Sequence, residues 1–100
     1  SHHYCLATLA RRRMADQARG LEPGAQGWLG SAELSRMLGM ETTHVNMQIF
    51  RAREQLMTAL PGVAALSRLI ERRRGELRIG ELPFEIYRGD KLECRYRPLR

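Results

Sequence analysis

Between residues 31 and 60 the apolar side chains keep a helical period that a single glycine, Gly39, interrupts. Val45, Ile49, Ala52 and Leu56 lie at i, i+4, i+7 and i+11, one stripe along a helix of more than four turns. Ahead of it, Ala32, Leu34, Met37 and Leu38 predict the inward side of a shorter helix, with Ser31 as N-cap, Glu33 in the first turn and Gly39 as C-cap. Thr42 or Thr43 caps the second helix, and Pro61-Gly62 ends it. Two helices joined by a glycine-containing turn of about three residues are a helix-turn-helix.

The flanks set the rest of the fold. Residues 4–18 predict an N-terminal helix with Leu6, Leu9 and Met14 on a broad apolar side and Arg11-Arg12-Arg13 facing water or a partner. Gly20 stops it, a turn follows at Leu21-Glu22-Pro23-Gly24, and Gly27-Trp28-Leu29-Gly30 is a short extended piece in which the lone Trp28 anchors the core. Beyond Pro61 a short helical piece covers residues 63–68, and the period then changes from helical to alternating. Residues 69–73 and 76–80 read as strands around Arg74-Gly75, and residues 84–88 and 92–97 as strands around Gly89-Asp90. Phe84, Ile86, Leu92, Cys94 and Tyr96 alternate as a half-buried hairpin requires. The expected class is α+β: about three helices, a hairpin after the helix pair, and an additional C-terminal β-hairpin. One domain covers residues 1–100, built from an N-terminal helix (1–20), a strand with the helix-turn-helix (27–60), and two hairpins (69–98).

Charge narrows the function. The net charge is +6, and Lys and Arg together number 17, all arginine except Lys91. Arginine offers a planar fork to phosphate and to guanine, so a polyanionic partner is a first-order expectation, although arginine also accumulates for reasons of base composition. Cys5 and Cys94 imply no disulfide framework, and a reduced, cytoplasmic setting is the default. No apolar run approaches the roughly 20 residues of a membrane span, and no signal peptide is visible. His2, His3, His44, Cys5 and Cys94 lack metal-ligand spacing, the glycines form no phosphate loop, and no catalytic set stands out. The chain is expected to be no enzyme and to use no metal, cofactor or small-molecule substrate.

Three segments resemble a known family. Val45-Asn46-Met47-Gln48-Ile49-Phe50-Arg51-Ala52-Arg53-Glu54-Gln55-Leu56 is similar to the recognition helix of the winged-helix effector domains of bacterial two-component response regulators, which typically reads Val-Asp-Val-His-Ile-x-Arg-Leu-Arg-x-Lys-Leu. Gly27-Trp28-Leu29-Gly30-Ser31-Ala32-Glu33-Leu34 resembles the strand and helix that precede it, and Leu69-Ile70-Glu71-Arg72-Arg73-Arg74-Gly75 its wing strand. The likeness covers roughly residues 27–80. It implies a winged helix-turn-helix that binds double-stranded DNA in transcription regulation, with residues 43–58 in the major groove and a basic wing on the backbone or minor groove. Four departures stand out: no length remains for a phosphoacceptor receiver domain, the family's N-terminal sheet is not evident before Tyr4, Glu76-Leu77-Arg78 replaces the usual Gly-Tyr ending of the wing, and a hairpin over residues 83–97 follows where the family normally stops.

If the Val45 stripe is buried, the opposite side of the helix shows Thr43, His44, Met47, Gln48, Arg51, Glu54 and Gln55. Arg51 suits a guanine edge, Gln48 an adenine, and Thr43 and Arg53 phosphates; the resemblance carries over Arg51 and Arg53 as matching arginines. Arg53 has a competing use in an intramolecular salt bridge. Arg72, Arg73 and Arg74 suit a narrow minor groove, or else a solvated hairpin flanked by Glu71 and Glu76. Met47 suits a thymine methyl or a protein interface. The second reading is therefore a winged-helix protein-interaction module of a larger cytoplasmic protein, favoured by Met47, Glu54 and the added hairpin, whose edge strand could also pair two copies in a homodimer. RNA binding by shape is a third.

Overall fold

A computed structural model of the chain describes residues 3–98; Ser1, His2, Leu99 and Arg100 lie outside them. The order is α1 (His3–Ala18), a 3₁₀ turn (Pro23–Ala25), β1 (Leu29–Gly30), α2 (Ser31–Leu38), α3 (Thr42–Ala59), a second 3₁₀ turn (Ala64–Arg68), β2 (Ile70–Arg73), β3 (Glu76–Ile79), β4 (Phe84–Arg88) and β5 (Lys91–Tyr96). Among the described residues the class is α+β, with three α-helices and two small antiparallel sheets. One sheet has the order β1-β3-β2 and the other is the β4–β5 hairpin.

Glycines supply the helix stops. Gly20 takes φ +84, with Leu21 N donating to Asp16 O (3.1 Å) and Gly20 N to Gln17 O (3.0 Å), so α1 closes its last carbonyls as the chain reverses. Gly39 does the same for α2, at φ +66, with Met40 N on Ser35 O (3.1 Å). The helix starts differ from expectation. The N-caps are Gly30 and Glu41, neither with a side-chain cap bond. Of the residues expected to cap, Thr42 turns its Oγ1 to Ser35 Oγ of α2 (3.0 Å), and Ser31 donates its backbone N–H to Gly75 O (3.0 Å) in the β2–β3 turn.

Leu9, Leu29, Leu34, Leu77 and Cys5 are shut off from solvent at the centre, and Val45, Ile49 and Ala52 of α3 pack onto them. Leu56 is half-buried at the edge. On α2 only Leu34 is fully buried; Ala32 and Met37 face outward, because the short helix meets the core along one narrow line. β3 is the central strand, with Leu77 opposite Leu29 and Ile79 opposite Ile70. In the second hairpin Phe84, Ile86, Cys94 and Tyr96 face inward, but a bulge between Ile86 and Tyr87 breaks the alternation and leaves Leu92 exposed near the tip.

The largest correction concerns the arginines of α1. Arg13 does not face water; it is wholly buried. It donates from Nε to Tyr96 Oη (2.9 Å) and Gln26 Oε1 (3.3 Å), from Nη1 to Ile79 O (2.9 Å), and from Nη2 to Pro23 O (3.0 Å). Tyr96 Oη in turn donates to Gln26 Oε1 (2.9 Å), and its ring stacks on Phe84 at 5.0 Å. Arg11 grips Glu93 of β5 with Nε and Nη2 (3.0 and 3.2 Å), and that hydrogen bond holds the Glu93 carboxyl below its usual range. Arg12 reaches Asp16 (3.8 Å) and Glu33 (3.9 Å). The triplet is therefore a set of struts from α1 to the rest of the fold.

Candidate nucleic-acid interface

The outward side of α3 is open along its length. Thr43, His44, Met47, Arg51, Glu54 and Gln55 are exposed, as the buried Val45–Ile49–Ala52 stripe dictates on the other side. Gln48 is half-buried, its Nε2 3.2 Å from His44 Nε2, one turn back. Arg51 makes no hydrogen bond or ion pair among the described residues. Arg53 sits beside the stripe, and its expected salt bridge is absent: Nη2 donates to the Ser67 carbonyl (3.2 Å), while Nε is buried without a partner.

The β2–β3 hairpin is fastened against α3. Arg72 Nη2 donates to Asn46 Oδ1 (3.2 Å), a contact between residues 26 positions apart. The three arginines at this hairpin have three different environments. Arg72 is oriented by Asn46. Arg73 is ion-paired to Glu76 (2.6 Å), and its guanidinium lies 4.1 Å from the centre of the Trp28 ring. Arg74 is exposed and has no partner among the described residues.

Trp28 is the support for this hairpin. It is half-buried rather than a core residue, because Arg73 and Arg78 cover its ring, Arg78 at 4.4 Å. Its Nε1 donates to Gly24 O (2.9 Å). Arg78 donates to Glu71 Oε1 (2.6 Å) and to the carbonyls of Pro23, Gly24 and Gln26 (2.9, 3.2 and 2.9 Å), stapling the first 3₁₀ turn to β3. Trp28→Ala removes both cation–π contacts and the packing beneath the hairpin, and is expected to destabilise the protein by about 1–2 kcal/mol. Hydrogen exchange should show it first at the β2–β3 amides; unchanged protection there would refute a supporting role.

Compared with protein-family models, with curated proteins and with solved structures, the chain matches none. The surface must therefore be judged on its chemistry. Burial pushes the Cys5 thiol up, and it does the same for Cys94, with Glu93 adding to the effect. Both are protonated at neutral pH and poor nucleophiles. Among the described residues no group of three His, Cys, Asp or Glu side chains could hold a metal ion, and no helix is long and apolar enough to cross a membrane. Sequence reasoning missed Asn46, Trp28 and Arg78 as parts of this surface, and Phe50, whose position next to Met47 on the helical wheel was the available signal.

Proposed function

We propose that the chain is a winged helix-turn-helix domain, akin to response-regulator effector domains, that binds double-stranded DNA in transcription regulation within the cytoplasm. In this reading α2 and α3 are the helix-turn-helix, the β2–β3 hairpin is the wing, and α3 enters the major groove. The observation that carries it is the Arg72–Asn46 bond, which ties the basic hairpin to α3, the helix whose outward side carries the exposed Arg51. Arg51 reads a base edge, with Thr43, His44, Met47, Gln48 and Gln55 around it. Arg74 takes backbone phosphate or the minor groove, and Arg73 joins only on leaving Glu76 and Trp28.

The test is binding to a labelled random-sequence duplex, titrated with salt. Neutralised phosphates release counterions, so wild-type affinity should fall steeply with salt, and Arg74→Ala should reduce the log–log slope by about one. On duplexes selected from that pool, Arg51→Ala should weaken binding by roughly 5–150-fold, the worth of a bidentate base contact. A wild-type protein that fails to bind at roughly 50 mM salt would end the DNA reading, since nonspecific attraction is strongest there.

One observation favours the protein-interaction reading. Met47, Phe50 and Met57 stay 50%, 61% and 39% exposed along the outward side of α3, with Glu54 among them. Binding through this surface would depend on apolar burial and vary little with salt.

A further inference from the structure

Phe50 is the most exposed of the large apolar side chains among the described residues, at 61%, yet it does not stand alone. It walls a notch of about 300 Å³ between α3 and β2, lined also by the apolar Ile49 and Ile70 and by Asn46, Arg53 and Arg72. No carboxylate lines this notch. Two guanidinium groups therefore share it without a neutralising anion. Both are held from behind: Arg53 by the Ser67 carbonyl and Arg72 by Asn46 Oδ1. Each keeps further N–H donors, and the Arg53 Nε is buried with no partner.

A pair of braced guanidiniums suits a phosphate, whose oxygens accept from planar N–H forks. An exposed aromatic ring beside that phosphate suits the apolar face of a sugar, which an anion alone would not use. We propose that this notch holds one sugar–phosphate unit of the DNA backbone, with Arg53 and Arg72 on the phosphate oxygens and Phe50 against the deoxyribose. The inference rests on the DNA reading above and adds a second kind of contact to it. Arg53 and Arg72 act by charge. Phe50 acts by excluding water from the sugar and releases no counterion.

That difference is measurable on the labelled random-sequence duplex with the full chain. Phe50→Ala should bind about tenfold more weakly at every salt concentration with its salt slope unchanged. Arg72→Gln should lower the slope by about one. Thermal melts accompany both, and the exposure of Phe50 predicts that Phe50→Ala keeps the wild-type midpoint within a few degrees. If Phe50→Ala binds as wild type does while Arg51→Ala and Arg74→Ala weaken binding, the notch is not a backbone site and the DNA reading survives. An unchanged slope for Arg72→Gln overturns the phosphate assignment in the same way. Absence of wild-type binding removes both proposals together.

Discussion

Arg13→Ala should lower the thermal unfolding midpoint by roughly 15–25 °C, which is about 3–4 kcal/mol for a domain of this size. Arg13 is wholly buried, and its guanidinium ties α1 to Pro23, Gln26, Ile79 and Tyr96 at once. Two effects oppose each other on its removal. Deleting a buried charge recovers its desolvation penalty, several kcal/mol. Against that stand hydrogen bonds from a charged donor, each worth about 1.5–3 kcal/mol, and the cavity left by a long side chain. The Ile79 carbonyl loses the side-chain donor that reaches it from α1. The losses exceed the gain, and both hairpins loosen because the network joins β3 to β5. Arg13→Lys should recover only part of the stability, since one ammonium cannot reach acceptors set around a planar fork. Circular dichroism melts decide the matter: an Arg13→Ala midpoint within about 3 °C of wild type would mean that the network contributes nothing net.

Gly80→Ala should destabilise the protein by about 3 kcal/mol, near the upper end of what overpacking usually costs. Gly80 ends the central strand where its N–H donates to Leu69 O (2.8 Å) and the chain turns toward β4. A Cβ placed there would collide with the Arg68 carbonyl oxygen, and the next atoms it meets, Arg68 C and Leu69 O, are backbone too. Backbone cannot swing aside as a side chain end can, so the 3₁₀ turn after α3 or the end of β3 must shift. Gly24→Ala is the control: a Cβ there meets nothing within 4 Å, and its φ is not positive, so stability should hold or rise by about 0.4–1 kcal/mol. Equilibrium urea unfolding measures both variants. A Gly80→Ala loss no larger than that of Gly24→Ala would show that the close approach relaxes freely.

The candidate surface was readable on α3 and less so elsewhere. Thr43, His44, Met47 and Arg51 are outward because the Val45–Ile49–Ala52 stripe is inward, and a helix fixes that relation within two turns. At the hairpin, Arg72, Arg73 and Arg74 are three identical letters in three different environments. Asn46 lies 26 residues from Arg72, and Trp28 lies 45 residues before Arg73, so no local pattern could separate them. The role of Arg78 was hidden in the same way, since the carbonyls of Pro23, Gly24 and Gln26 that it clamps lie more than 50 residues before it.

By itself the sequence determined what depends on near neighbours. The α3 stripe, the glycine stops after α1 and α2 and the turns at Gly75 and Gly89 all follow from spacings of a few residues, because backbone hydrogen bonding and side-chain direction repeat over that distance. The tertiary structure alone decided which polar groups are spent inside the fold. Arg13 reads as the third of three solvated arginines, and only the arrival of Gln26, Ile79 and Tyr96, from 13, 66 and 83 residues away, makes it a buried strut. A guanidinium is stable in water or inside a complete set of acceptors, and which of the two it meets is settled by packing, where the acceptors come from distant parts of the chain.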